Sequence, residues 1–192
     1  MNTMLDIAGS FILFGTFLIA VMTVNSNITS MLFQTNLELI SQQNIVALAE
    51  LFDHDLLKVG YGKTSPKLKP GATDSVRITW YSDFDNDGAV DSISYFLGDV
   101  SELADTPNPN DRILYRQINN DNPVSMGVGV VYFNLTYFDS VMAEIPYSEL
   151  SDVAGVNRVR AIRVRVQVES PYAVDERYGG AFWERTYIPR NL

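Results

Sequence analysis

The sequence contains no cysteine and a single histidine, His54. Disulfide frameworks, cysteine-ligated zinc and thiol catalysis are therefore excluded, as are metal sites built from several histidines. Basic residues are also scarce, because 14 Lys and Arg stand against 23 Asp and Glu and leave a formal net charge of −9. Such an acidic chain does not provide the basic surface that neutralises phosphates, so we expect no binding of nucleic acid.

The N-terminal part lacks basic residues altogether, since Lys58 is the first in the chain. No charge of either sign occurs between Ile7 and Leu37, and Ile7 to Val24 is apolar apart from Gly, Ser and Thr. As an α-helix this run is about 27 Å long, just enough to cross the hydrocarbon layer of a bilayer. A cleaved signal peptide fits poorly, because Asp6 stands where such peptides carry basic residues; a buried core helix is the other alternative. We predict a membrane anchor over residues 1–30.

The residues after this run lack helix breakers, because neither Pro nor Gly occurs between Asn25 and Gly60. Apolar residues in the second half of this segment recur every three or four positions, which is typical of one face of a helix: Ile45, Leu48, Phe52, Leu56 and Val59. We therefore predict one helix from Leu5 to Val59, about 80 Å long. Its first half must project from the protein. Residues 31–59 are expected to pack their apolar face on the part of the chain that follows the helix.

The composition changes after the helix. A loop rich in Pro and Gly covers residues 63–73, and six runs rich in β-branched and aromatic residues follow, which predicts strands at 75–82, 91–97, 112–117, 128–138, 159–170 and 182–188. In the fifth run, Arg alternates with Ile and Val, so one face of the strand is expected to be buried and the other exposed to solvent. We predict an α+β fold in which the C-terminal half of the long helix packs on an antiparallel sheet, with residues 31–192 as the globular domain.

One segment has the composition of a metal site. Residues 83–91 read D-x-D-x-D-G-x-x-D, and carboxylates alternating around a Gly turn suit calcium, which prefers oxygen ligands. The predicted ligands are the carboxylates of Asp83, Asp85, Asp87 and Asp91 and the carbonyl of Ala89. The run departs from an EF-hand because Ser94 stands where a bidentate glutamate belongs. A metal-free hairpin turn at Asp87-Gly88 is the alternative, and both remain open.

No catalytic motif occurs in the sequence. It lacks a nucleophile elbow, a P-loop, a zinc-protease motif and a dinucleotide fingerprint. His54 is flanked by Asp53 and Asp55 but lies off the apolar face of the helix, so we expect it to be solvated and without a chemical role. We predict that the protein is not an enzyme.

Several segments resemble type IV pilin-like proteins, in particular the minor pilins of bacterial type IV pili and the pseudopilins of type II secretion systems. Thr3 to Ala8 is similar to the start of a mature pilin helix, where an acidic residue at the fifth mature position interrupts an apolar N-terminus. Asn44 to Gly62 is similar to the minor-pilin stretch in which the helix ends in an acidic-x-Asp-Leu segment before a Gly-Tyr-Gly exit. Further segments fall in the order of the family: Arg77–Leu97, Leu114–Arg116, Val128–Tyr137, Ala161–Val168 and Pro189–Leu192.

The resemblance implies a structural role. It implies a minor or priming subunit of a pilus or pseudopilus, anchored in the bacterial inner membrane with an extracytoplasmic domain, and periplasmic or extracellular after assembly. Other pilin or pseudopilin subunits would be the partners, contacted through the N-terminal helix. It also implies that Asp6 pairs with the N-terminal amine of the neighbouring subunit, since an acidic group in apolar surroundings needs a partner.

The sequence departs from the family at its start. Alignment on Asp6 places Met1 where the last glycine of the leader belongs and Asn2 where the first mature residue, usually phenylalanine, belongs. Either translation starts upstream of Met1, or the protein is never processed. In the second case the alternative function is a membrane-anchored extracytoplasmic binding module with a calcium-stabilised loop, which is not assembled into a fibre.

Overall fold

A single long helix opens the described chain. The structure, a computed structural model, describes residues 3–174 and 176–192, so Met1 and Asn2 lie outside the described residues. Helix α1 extends over 54 residues from Thr3 to Leu56, a length of about 81 Å, and is continuous through residues 25–30. The predicted helix is confirmed, except that Val59 lies in the turn that follows it.

Two antiparallel sheets form the rest of the fold, each from strands that are consecutive in sequence. The first sheet contains, in spatial order, β1 (Arg77–Ser82), β2 (Asp91–Leu97), β3 (Leu114–Ile118) and β4 (Val124–Gly127). The second contains β5 (Val130–Phe138), β6 (Ala161–Val174) and β7 (Arg177–Tyr187). Two 3-10 helices, Val100–Leu103 and Tyr147–Ser151, and the short helix α2, Val153–Val156, lie in the connections. The α+β class is confirmed, but the described residues form two sheets where the sequence indicated one.

The strand boundaries differ from the prediction, and β1, β3, β5 and β6 each begin two residues later than expected. Strand β4 was not predicted, because four residues after a proline carry too little alternation to be recognised. Strands β6 and β7 extend further than expected through Pro171 and Gly180, which usually break strands. The register of β6 and β7 shifts between Glu169 and Ala173, so Pro171 lies in an irregularity, whereas Gly180 is paired with Glu169. The predicted alternation within β6 is confirmed by buried Ile and Val residues at 162, 164, 166 and 168.

The second half of α1 packs mainly on β6 and β7 and also contacts β4. Its buried residues recur every three or four positions: Leu37, Ser41, Ile45, Leu48, Phe52, Asp55 and Leu56. The apolar members from Ile45 onward join the inward-facing residues of both sheets in one hydrophobic core. The apolar face predicted for residues 45–59 is therefore the face that docks.

Helix α1 comes close to β7 at Gly179. A Cβ atom at this position would lie 3.0 Å from Glu38 Cγ and 3.3 Å from the Glu38 backbone nitrogen. The buried Ser41 hydroxyl donates a hydrogen bond to the Gly179 carbonyl at 3.1 Å. Because residue 179 has no side chain, the helix can lie directly on the strand.

Candidate functional site

The N-terminal half of α1 is not covered by the globular domain. In its most apolar window of 18 residues the mean hydropathy is 2.2 and no residue is buried. Large side chains such as Phe11, Leu13 and Phe17 are 66–72% exposed. Among the described residues, this is the one helix long and apolar enough to cross a membrane, a property that a signal sequence shares. Apolar surface of this extent is rarely left in water, so the segment needs lipid or another apolar partner.

The three hydroxyl groups of the apolar run 7–24 are satisfied within the helix. Each donates a hydrogen bond to a carbonyl of the preceding turn, Ser10 to Asp6, Thr16 to Leu13 and Thr23 to Ile19, at 2.8–2.9 Å. Side chains paired in this way do not require water. The segment can therefore lie in an apolar environment although it contains Ser and Thr.

Asp6 lies in the first turn of α1 and is exposed. Within the described residues its carboxylate has no hydrogen bond and no ion pair, and the backbone carbonyl of Asp6 accepts the bond from Ser10. Its charge is favourable near the positive end of the helix dipole. In an apolar environment it would still need a cationic partner from outside the described residues.

The C-terminal end of α1 is held by two carboxylates that point to different sheets; we call this set of contacts the helix junction. Asp53 pairs with the guanidinium of Arg185 and accepts a hydrogen bond from the hydroxyl of Tyr187, both on β7. Asp55, two residues later, contacts Tyr95 on β2 and Arg116 on β3. The last turns of the helix are therefore fixed to both sheets.

Asp55 is the buried member of the helix junction, with 1% of its surface exposed. The Tyr95 hydroxyl donates to Asp55 Oδ2 at 2.6 Å. Arg116 forms an ion pair with the same oxygen, and its Nε lies 2.8 Å away. The geometry of this contact is not that of a hydrogen bond. His54 is 61% exposed, as expected, and its Nδ1 lies 2.7 Å from Asp55 Oδ1. A buried carboxylate requires partners of this kind, since an unpaired one is strongly unfavourable.

Phe84 connects the helix junction to the acidic segment 83–91, which we call the acidic loop. Lys58 Nζ donates to the Phe84 carbonyl at 3.2 Å and lies 4.4 Å from the centre of its ring. The Arg116 guanidinium lies 4.8 Å from the ring, and the His54 ring meets it edge-on. Cations over an aromatic face are attracted to it. The position of the acidic loop is thus coupled to the end of α1.

The tyrosines of the helix junction predict loss of stability at alkaline pH. Burial raises the pKa of Tyr95 and of Tyr187, and the carboxylates of Asp55 and Asp53 raise them further. An unfolded tyrosine ionises at about pH 10, whereas the folded protein keeps these phenols neutral. Their stabilisation is therefore present below that pH and is lost as the pH rises above it.

We expect the free energy of unfolding, measured by urea denaturation with tryptophan fluorescence, to fall above about pH 10. The fall should be shallower in Tyr95→Phe and Tyr187→Phe, which cannot ionise. Tyr172→Phe, at a position that is exposed, is the control and should keep the wild-type slope. An unchanged slope in both junction variants would contradict this account.

The acidic loop brings three of the five predicted calcium ligands together. Carboxylate oxygens of Asp83, Asp85 and Asp87 lie within 4.8 Å of one another. The loop is held by its own carboxylates: Gly88 N donates to Asp83, Asp87 N to Asp85, and Ala89 N to Asp87. Strands β1 and β2 form an antiparallel hairpin, but residues 83–90 connect them in place of the tight turn expected at Asp87-Gly88, and Gly88 has a φ of 87° that favours glycine.

Asp91 and Ala89 play different parts from the three clustered aspartates. Asp91 lies outside the cluster, because its Oδ2 accepts from Phe84 N at 3.1 Å and its Oδ1 from Asn119 Nδ2 at 2.8 Å. Its carboxylate supports the base of the loop. Ala89 contributes its amide to Asp87.

The clustered oxygens fit a hard divalent cation in two respects. Oxygens up to 4.8 Å apart can share one calcium ion, whose ligands lie at about 2.3–2.6 Å. Asp83 Oδ1 is buried and has no hydrogen-bond partner among the described residues. Calcium takes about six to eight oxygens, so backbone carbonyls or water would complete the set. Exposed acidic groups such as these are also common without an ion.

The helix junction was missed by the sequence analysis, which noted Asp53 and Asp55 as neighbours of His54 and as members of the acidic-x-Asp-Leu segment, without partners. A signal was present, because Asp55 falls three residues after Phe52 and therefore on the apolar face of the helix. A carboxylate on a buried face requires a cationic partner. The identity of that partner depends on tertiary packing.

No protein-family model matches the chain, and no curated protein sequence matches it.

Proposed function

We propose that this protein is a structural subunit of a type IV pilin-like filament, a minor or priming subunit of a type IV pilus or a type II secretion pseudopilus. The division of α1 carries the proposal. Its N-terminal half is apolar and uncovered, whereas from Leu37 onward one face is buried against the sheets. Such a helix can lie in a bilayer before assembly and against helices of neighbouring subunits afterwards. In both states its apolar surface is removed from water.

The first turns of α1 supply the assembly contact in this proposal. Asp6 pairs with a cationic group of the neighbouring subunit, because a carboxylate in apolar surroundings is unfavourable without one. Gly9 and Gly15 have no atom within 4 Å of where a Cβ would lie. Small residues of this kind allow helices in a membrane to approach closely. The globular domain, residues 31–192, lies outside the cytoplasm.

Fractionation of cells that carry the assembly machinery tests the proposal. The full chain should be recovered in filaments sheared from the cell surface or, for a pseudopilus, in the periplasmic filament fraction. Asp6→Ala should remain in the membrane but fall at least about tenfold in the filament fraction, since an unpaired partner charge costs several kcal/mol in apolar surroundings. Asp6→Glu should keep most of the assembly, and Asp121→Ala, at an exposed acidic site of the domain, is the matched control.

Two outcomes would count against filament assembly. One is a wild-type chain found only in the membrane fraction, which is the behaviour of an anchored binding module. The other is equal recovery of Asp6→Ala and wild type in filaments. A short basic leader ending in glycine, encoded in frame upstream of Met1, would independently favour the filament.

A calcium ion at Asp83, Asp85 and Asp87 is a second part of the proposal. It would offset the repulsion among the three carboxylates and fix the acidic loop. Because Phe84 contacts Lys58 and Arg116, a fixed loop would also stiffen the end of α1. The role of the ion is structural.

Thermal unfolding of the full chain in detergent, with calcium or with a chelator, tests the ion. Calcium should raise the Tm by about 5 °C or more, since a ligand that binds only the folded state stabilises it. Asp85→Asn and Asp87→Asn should lose this shift and be slightly more stable than wild type in chelator, because they remove repulsion. Asp121→Asn should keep the shift. Equal Tm values with calcium and chelator would exclude a structural ion.

A further inference from the structure

A polar groove of about 480 Å³ lies on the outer face of the first sheet. Its floor consists of two neighbouring rungs of side chains, each of which crosses β1, β2 and β3. One rung contains Thr79, Ser94 and Gln117. The other contains Tyr81, Ser92 and Asn119, the residue that directly follows β3. Residues 67–69 run along the free edge of β1 and form a wall, fixed by Lys69 N donating to the Thr79 carbonyl at 2.8 Å. The volume is within the range of small-molecule sites, about 300–1,000 Å³.

The groove is a depression among larger side chains. The next rung of the same face holds Arg77, Phe96 and Tyr115, whose two rings stack with centres 5.5 Å apart while the Arg77 guanidinium lies 5.1 Å from the Phe96 ring. The floor between this rung and Tyr81 is made of hydroxyl groups and one amide. The opposite face of β1 and β2 carries core residues, so the polar face does not contribute to the core.

The floor keeps unused hydrogen-bonding capacity. The buried Thr79 hydroxyl pairs with that of Ser94 at 2.8 Å, and a hydroxyl can make further bonds beyond one. Within the described residues, the hydroxyls of Ser92 and Tyr81 make no hydrogen bond, and Gln117 uses only its Nε2, which donates to a backbone carbonyl. A ligand rich in hydroxyl groups matches this set of donors and acceptors.

The charge of the groove is opposite to that of the protein. The chain has a net charge of −9, yet the groove is lined by Lys69 and Arg77 and by no Asp or Glu among the described residues. In that part of the chain neither cation is in an ion pair: the pairs present involve Arg116, Arg158, Arg163, Arg165, Arg185 and His54. Arg and Lys recognise carboxylates well, and Arg can do so with two parallel hydrogen bonds.

We propose that this groove binds an acidic saccharide, a sugar that carries a carboxylate. The sugar hydroxyls bond to Ser92, Ser94 and Gln117, the Tyr81 ring contacts the sugar ring, and Arg77 and Lys69 hold the carboxylate. Nucleic acid fits less well, because two cations in an acidic protein do not form the continuous basic track that a phosphate backbone requires. A peptide fits less well because the floor lacks apolar pockets for anchoring side chains.

Calorimetric titration of the full chain in detergent micelles tests this site. The probes are short oligosaccharides of galacturonate, of glucuronate and of N-acetylneuraminate, the neutral oligosaccharides of galactose and glucose, and inorganic phosphate. At least one acidic saccharide should bind. Its neutral counterpart should bind at least about tenfold more weakly, because it lacks one charge-assisted hydrogen bond. Arg77→Gln and Lys69→Gln should each lower the affinity by a similar factor. Ser94→Val should lower it without any change of charge.

Arg190→Gln is the matched control, because Arg190 is exposed, lies outside the groove and changes the net charge by the same amount. Its affinity should equal that of the wild type, and circular dichroism should show all variants folded. The proposal is overturned if no acidic saccharide binds more tightly than about 10 mM. It is also overturned if inorganic phosphate binds as well as the saccharide does, or if Arg190→Gln weakens binding as much as Arg77→Gln.

Discussion

Replacement of Asp55 by leucine is expected to lower the free energy of unfolding by about 3–5 kcal/mol, because it leaves the charge of Arg116 without its partner in a partly buried position. Arg116 retains 22% of its side-chain surface and pairs with Asp55 at 2.8 Å. The Tyr95 hydroxyl, which donates to the same carboxylate, loses its acceptor as well. Urea unfolding of the full chain in detergent measures the change.

The control for this substitution is Glu50→Leu, on an exposed position of the same helix, which should change stability by less than about 0.5 kcal/mol. The double variant Asp55→Leu, Arg116→Met should recover much of the loss, because a buried ion pair replaced as a whole is far less unfavourable than one broken on one side. A loss below about 1 kcal/mol in Asp55→Leu, or no recovery in the double variant, would show that the ion pair does not hold the helix end.

Replacement of Phe52 by alanine is expected to lower the free energy of unfolding by a similar amount, about 3–5 kcal/mol. Phe52 is 1% exposed, and it is the residue of α1 whose ring reaches both sheets. Its ring lies 5.3 Å from that of Tyr95 on β2, and 6.1 Å and 5.9 Å from those of Phe133 and Trp183 in the second sheet. Truncation opens a cavity where the helix and the two sheets meet.

The matched control for Phe52→Ala is Val46→Ala, because Val46 lies on the same helix but is 56% exposed. It should cost less than about 1 kcal/mol. Fluorescence of a Trp80→Phe background, in which Trp183 is the remaining tryptophan, reports on the site, since the Trp183 ring stacks on Phe52. A loss in Phe52→Ala no larger than that in Val46→Ala would mean that the apolar face of α1 does not dock as described.

The parts of the fold that could be predicted are those encoded by local periodicity. The spacing of Ile45, Leu48, Phe52 and Leu56 identified the buried face of α1 because a helix repeats about every 3.6 residues. The alternation of Arg and Val in β6 identified its buried face in the same way. The helix end was predicted to within three residues, because Gly60 is the first glycine after Asn25, and its φ is positive in the structure.

The division into two sheets could not be predicted, because strands that are neighbours in sequence pair with one another throughout the described residues except at β4 and β5. A turn of two residues separates β4 from β5, and nothing in Val128-Gly129 shows that the chain leaves one sheet there for the other. The structure shows a reason at Gly129, whose φ is 79° and where a Cβ would lie 2.5 Å from the Glu169 carbonyl. Only glycine fits this crossing without strain.

The candidate sites show the same difference between residues that are close in sequence and residues that the fold brings together. The sequence identified Asp83, Asp85 and Asp87 because they are close in the chain, but it grouped Asp91 with them although that carboxylate bonds to Phe84 and Asn119 instead. The polar groove was not predicted at all. Its floor combines residues from three strands, and Ser92, Ser94 and Gln117 are unremarkable until the register brings them together.

The distance between spin labels on α1 tests the central claim, that one continuous helix projects from the globular domain. Labels at Thr16 and Val46, both exposed, can be attached to introduced cysteines, since the chain has none of its own. For the full chain in nanodiscs, pulsed electron paramagnetic resonance should give a single distance of about 45 Å, the length of 30 helical residues. A distance below about 30 Å, or a broad distribution with several maxima, would mean that the helix is broken or folded back and would contradict the account.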